Sequence, residues 1–170
     1  MATEQDIFNY LDDHLPYMLG SVRHNYRRII DDKTSIDDRN AAFDAFAVNA
    51  RNLYLFLTNG DTQNFKASDF VDAYKAKKGL TGQMQLLRAQ TLHLDKRRPR
   101  SVEDKFNSET AGPVYRWLEN QMDNFISRLG DLKKHWNAAN AGTPVSQHSD
   151  TLSTKVTSTT TIEARLTKLN

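Results

Sequence analysis

From Val114 to Trp136 the large apolar residues fall mostly three or four positions apart: Val114, Trp117, Leu118, Met122, Phe125, Ile126, Leu129, Leu132 and Trp136. That spacing draws one long stripe along an α-helix, and such a stripe is covered only when other helices pack against it. The chain supplies them. Ile7, Leu11, Leu15, Met18, Leu19, Val22, Tyr26, Ile29 and Ile30 repeat the pattern between Asp6 and about Asp31. Pro16 interrupts this run, because proline lacks a backbone N–H and clashes with the preceding turn. It predicts a short helix ending near Asp13 and a longer one starting near His14, or one kinked helix.

Ser35, followed three residues later by Asp38, marks the start of a further helix. It should run to about Thr58, with Phe43, Phe46, Ala47, Ala50, Leu53, Tyr54 and Leu57 on one face. Arg51 falls at the edge of that face and Asn52 on the far side. Asn59-Gly60-Asp61 then offers turn chemistry. A shorter helix is expected over Ser68 to Lys77, carrying Phe70, Val71 and Tyr74, before Gly79 and Gly82 punctuate the chain. The next helix, Gly82 to Asp95, stops at Lys96-Arg97-Arg98-Pro99-Arg100, since proline disfavours helix at the residue before it. The last begins after the Asn107-Ser108 cap and is expected to reach about Ala139, with Pro113 in its first turn or marking a break.

These elements predict an all-α, up-and-down bundle of four to five helices over residues 4–140. Residues 141–170 turn to Ser and Thr, which bury too little apolar area to offset their ordering entropy, and read as a flexible tail. Within it, Ile162 to Leu169 could form a short amphipathic helix or a docking peptide. A length of 170 residues suits one domain. No apolar run approaches a membrane span, and Glu4 and Asp6 stand where a signal peptide would be basic and then apolar. The expectation is a soluble, cytoplasmic protein without membrane association.

Charge is unevenly spread. Residues 4–44 hold nine acidic against five basic residues, a local −4, whereas residues 75–105 hold nine basic against three acidic, a local +6. The usual catalytic signatures are missing. Cysteine is absent, which excludes a thiol nucleophile and thiolate zinc. Gly79-Leu80-Thr81-Gly82 lacks the further glycine and lysine of a phosphate cradle. No histidine pair stands at one-turn spacing to hold a metal, and no Gly-x-Ser-x-Gly elbow is present. The Asp12-Asp13, Asp31-Asp32 and Asp37-Asp38 pairs suit solvated capping near helix ends. Neither a metal nor a cofactor is expected.

What remains is Arg88-Ala89-Gln90-Thr91-Leu92-His93-Leu94-Asp95 and the basic cluster behind it. This stretch resembles the HEPN superfamily, whose all-helical members include abortive-infection and toxin ribonucleases with an arginine and a histidine separated by four to six residues. The chain also resembles a group of uncharacterised bacterial helical proteins, in which a helix like Arg51-Asn52-Leu53-Tyr54-Leu55-Phe56-Leu57 precedes one ending like His93-Leu94. The likeness spans roughly Ser35 to Lys105. It implies metal-independent RNA cleavage, with His93 as general base and Arg88 stabilising the phosphorane, usually in a homodimer. Lys96, Arg97, Arg98 and Arg100 would hold the RNA backbone, Arg51 and Asn52 would support the site, and an antitoxin would be a natural protein partner. Ala89 departs from the polar residue that often follows the motif arginine, and the spacing recurs between Arg128 and His135.

Structural roles for the same residues stay open beside this. His93 near a helix C-terminus suits the macrodipole, Arg51 can pair with an aspartate or stack on Tyr54, and the basic run can be a solvated loop. Tyr54, Trp117 and Trp136 can be core anchors. The alternative function is a non-catalytic helical protein that dimerises or binds another bundle through an apolar face.

Overall fold

A computed structural model describes residues 3–60, 64–77, 79–91 and 107–145. Among them the architecture is all helical. Helix α1 (Glu4–Asn9) runs through a π-helical turn (Tyr10–His14) into α2 (Leu15–Ile30), and α3 (Ile36–Leu57), α4 (Thr81–Thr91) and α5 (Ser108–Ser127) follow. The starts follow the sequence signals. The Ser35 hydroxyl accepts from Asp38 N–H at 3.1 Å, and the Asn107 side chain caps Glu109 and Thr110 N–H at 3.0 and 3.1 Å.

Helices α2 and α3 form the most extensive pair, and α3 also packs on α4 and α5. The α2–α3 turn is closed by Arg28 on Asp38 at 2.9 Å and by Arg39, which donates to the carbonyls of Asp31 and Thr34. The core joins Leu19 and Val22 of α2, Phe46 and Leu53 of α3, Leu87 of α4, and Leu118 and Met122 of α5. Phe125 is its aromatic hub, meeting Phe56, Tyr74 and Phe70 edge-on at 5.2, 5.4 and 6.1 Å.

Three expectations are corrected. The helix expected over Ser68–Lys77 is a single 3-10 turn, Ala67–Asp69, followed by turns. Phe70 and Tyr74 are buried as their pattern implies, but three apolar residues do not offset the cost of nucleating a helix. Backbone partners come from the end of α3 instead. Asn59, at φ 53°, donates from its amide to Tyr74 O and accepts from Ser68 N–H, and Ala76 N–H reaches Leu57 O.

The last helix stops at Ser127, not near Ala139. Gly130 takes φ 56°, and a 3-10 stretch, Gly130–His135, carries Leu132 onward. The Arg128–His135 repeat of the motif spacing serves packing. Arg128 lies over the Tyr74 ring at 5.7 Å, and His135 stacks on Phe8 at 3.8 Å.

Residues 141–145, assigned from sequence to the tail, are fastened to the bundle; residues 146–170, with the amphipathic stretch at 162–169, lie outside the described residues. The fastening is polar. Arg23 donates to Glu119 at 2.8 and 2.6 Å and to the carbonyls of Ala141 and Gly142 at 3.2 and 2.8 Å. Burial opposes the Arg23 charge, and the Glu119 carboxylate outweighs it, so the guanidinium is held above its ordinary value. Arg27 donates to Thr143 O, and Tyr115 accepts from Val145 N–H at 2.8 Å. Gly20 lets the strap lie close: a β-carbon there would meet Asn140 O at 2.5 Å.

Tyr115 makes this clasp sensitive to alkali. Burial pushes its phenol up from 10.0 to about 12, opposed by the Val145 hydrogen bond and reinforced by Glu119. Above pH 10 the unfolded chain releases a proton that the folded chain retains, so stability falls from there to about pH 12. Urea midpoints should decline across that window. Tyr115→Phe cannot ionise and should flatten the decline, leaving the weaker contributions of Tyr54 and Tyr74, which burial also raises.

Candidate functional site

The α1–α2 junction is where proline shapes the surface. In a regular helix the N–H of residue 16 would donate to Asp12 O, and Pro16 has none. Asn140 supplies its side-chain amide to Asp12 O at 3.2 Å, and Asn137 N–H turns to Leu11 O at 3.4 Å. Leu15 N–H reaches five residues back to Tyr10 O, which makes the turn π-helical. The helix therefore continues through the proline with one widened turn, the kind of irregularity that often accompanies functional surfaces. The long helix thus starts at Leu15, beside the start near His14 that Pro16 predicts, while the short one before it ends at Asn9, earlier than Asp13, and the π turn between them is paired with residues 137–140.

The widened turn stands beside an open cleft of about 530 Å³. Asp6, Asn9, Tyr10 and His14 line it from α1 and the π turn, Tyr17 and Met18 from α2, and Phe65 from the segment after α3. A smaller chamber of about 200 Å³ shares Tyr10, Met18 and Phe65 and extends to Asn52, Leu55 and Phe56 of α3 and to Asn64. Tyr10, which lines both, stands among other rings. The Tyr10 ring lies 4.7 Å from Phe65, 5.4 Å from His14 and 5.8 Å from Phe70. Tyr17, by contrast, is 64% exposed.

The larger cleft is lined by one carboxylate, Asp6, and one imidazole, His14. Hydrogen bonds from the Thr3 hydroxyl and backbone N–H hold the Asp6 carboxyl below the usual carboxylate range. At the opposite end His14 Nδ1 sits 3.9 Å from the Asp13 carboxylate. Among the described residues no cluster of three or more His, Asp or Glu residues is placed to hold a metal ion.

Of the residues singled out from sequence, Asn52 is exposed on α3 and reaches this cleft, whereas Arg51 is half-buried one position away. Arg88 stands near the end of α4, on a helix packed against α3; its side chain lies outside the described residues. So do His93, Lys96, Arg97, Arg98 and Arg100. Tyr54 and Trp117 fix the entry to α4: their rings are 5.1 Å apart, and the Tyr54 hydroxyl donates to Gly79 O at 3.2 Å. Trp136 is half-buried against the core.

Sequence reasoning missed Asp6, Tyr10, Tyr17 and Phe65. A signal existed for three of them. Asp6, Tyr10, His14 and Tyr17 recur at helical spacing around Pro16, and Tyr10 and Tyr17 stand outside the apolar set chosen for that stripe.

Fold and cleft together define an all-helical protein with an aromatic groove at the meeting of α1, α2 and α3. No family model matches the chain, and no curated protein or solved structure is found similar to it. No helix among the described residues is long and apolar enough to cross a membrane.

Proposed function

We propose that the protein is a HEPN-like module that binds RNA and cleaves it without a metal, acting as a homodimer. The observation that carries this reading is the position of Arg88 near the end of α4, immediately before the sequence in which basic residues concentrate. His93 removes the proton from a ribose 2′-hydroxyl, and the resulting oxygen attacks the adjacent phosphorus in line. Arg88 balances the charge that gathers on the phosphorane. The bond to the 5′-oxygen breaks, His93 returns its proton to that oxygen, and a 2′,3′-cyclic phosphate remains. Lys96, Arg97, Arg98 and Arg100 hold the flanking phosphates.

Binding tests the electrostatic half. Fluorescence anisotropy on a labelled single-stranded RNA should give an affinity that falls steeply with salt. Replacing Lys96, Arg97, Arg98 and Arg100 together by alanine should lower the slope of log K against log salt by about 3, since each phosphate contact on a single strand contributes about 0.7. A slope unchanged by the quadruple replacement would refute the role assigned to the cluster.

A second reading, a non-catalytic interaction module, is favoured by the cleft itself. Open aromatic grooves with a few polar groups are the ordinary form of a binding site, and this one lies on elements separate from α4.

A further inference from the structure

The inference rests on the second of these readings and is independent of the RNA reading. We infer that the cleft formed by α1, the π turn, α2 and Phe65 is a binding site for an organic cation carried on an apolar stem. The ligand is an ammonium or guanidinium group with hydrocarbon behind it, either as a free amine or as the lysine or arginine side chain of a peptide.

Three observations converge on that chemistry. Three of the residues lining the larger chamber are aromatic, Tyr10, Tyr17 and Phe65, and an aromatic ring can attract a cation through its face. The carboxylate lining the larger chamber is that of Asp6, an exposed side chain held in place by hydrogen bonds from the Thr3 hydroxyl and N–H, and the imidazole that lines it too, His14, is paired with Asp13. An anion is repelled there, and a neutral ligand that covers Asp6 removes water from a carboxylate without replacing its partner. The volumes, about 530 Å³ and about 200 Å³ in the adjoining chamber, suit a small ligand or a few side chains. Met18 and Leu55 receive the apolar stem in the shared and smaller parts of the cleft.

The test is a heteronuclear NMR titration of the full-length protein with four probes. Two are phenethylguanidinium and its neutral counterpart phenethylurea. The others are a short leucine-flanked arginine peptide and the same peptide with citrulline in place of arginine. Saturable shifts at the amides of Tyr10, His14 and Phe65 are expected with the cationic probes, and binding about tenfold weaker with the neutral ones. Whichever cationic probe binds more tightly identifies the source, free amine or peptide.

Tyr17→Ala should weaken the cationic probes about threefold to tenfold. Tyr17 is mostly exposed, so this variant keeps the fold; Asp6→Asn should weaken the cationic probes similarly and should tighten the neutral ones slightly, since no carboxylate is then desolvated. Equal binding of neutral and cationic probes would overturn the cation assignment while leaving a binding cleft. Absence of shifts at these amides with every probe at millimolar concentration would overturn both.

Discussion

Glu119→Ala is expected to destabilise the fold by about 3–5 kcal/mol, the usual cost of removing one partner from a buried ion pair. Glu119 lies on α5 at 9% exposure and accepts both bonds of a forked contact from Arg23 of α2. Without it a guanidinium at 7% exposure keeps two carbonyls, those of Ala141 and Gly142, and loses its counter-charge. The same guanidinium fastens the strap to α2, so the damage should spread. Urea unfolding followed by Trp117 and Trp136 fluorescence reads the loss, and limited proteolysis reads release of residues 139–145. A double replacement, Arg23→Met with Glu119→Leu, should be less destabilising than Glu119→Ala, because it leaves no buried charge unpaired. A single variant as stable as wild type would show that the pair is not a clasp.

Phe125→Ala should cost a similar amount, about 3–5 kcal/mol, by a different mechanism. Its ring is fully buried and is met edge-on by Phe56 of α3 and by Phe70 and Tyr74 of the segment between α3 and α4. The three rings cannot all close on the void, since two of them are anchored elsewhere: Tyr74 donates to Gln121 O at 3.0 Å, and Phe56 belongs to a long helix. The melting temperature should fall by roughly 10 °C or more. Phe125→Leu, which keeps most of the volume, should lose markedly less. Equal losses for the two variants would contradict a tightly packed hub.

Local signals explain what could be read from the sequence. Ser35 and Asn107 announce α3 and α5 because a capping side chain acts within three residues of itself. The apolar stripes announce which faces are buried, since burial follows the helical period. The π turn could not be read in the same way, because the groups that satisfy Leu11 O and Asp12 O come from Asn137 and Asn140, more than a hundred residues away. Residues 141–145 were equally hidden, since the Arg23 guanidinium and the Tyr115 hydroxyl hold their backbone and not their side chains. Glu119 was missed as well, although a signal existed: it sits one turn from Tyr115 and next to Leu118 of the apolar stripe. The cleft was legible only in part, because Phe65 is brought to Tyr10 by the path of the chain after α3 and not by any spacing.

Cleavage decides the function. Purified wild-type protein, Arg88→Ala and His93→Ala are incubated with total tRNA in the presence of EDTA, and the ends of the fragments are identified. The proposed chemistry predicts cyclic-phosphate ends from the wild type and rates reduced by about a hundredfold or more in both variants. Intact tRNA with all three proteins in excess over substrate, or equal cutting by all three, would contradict it.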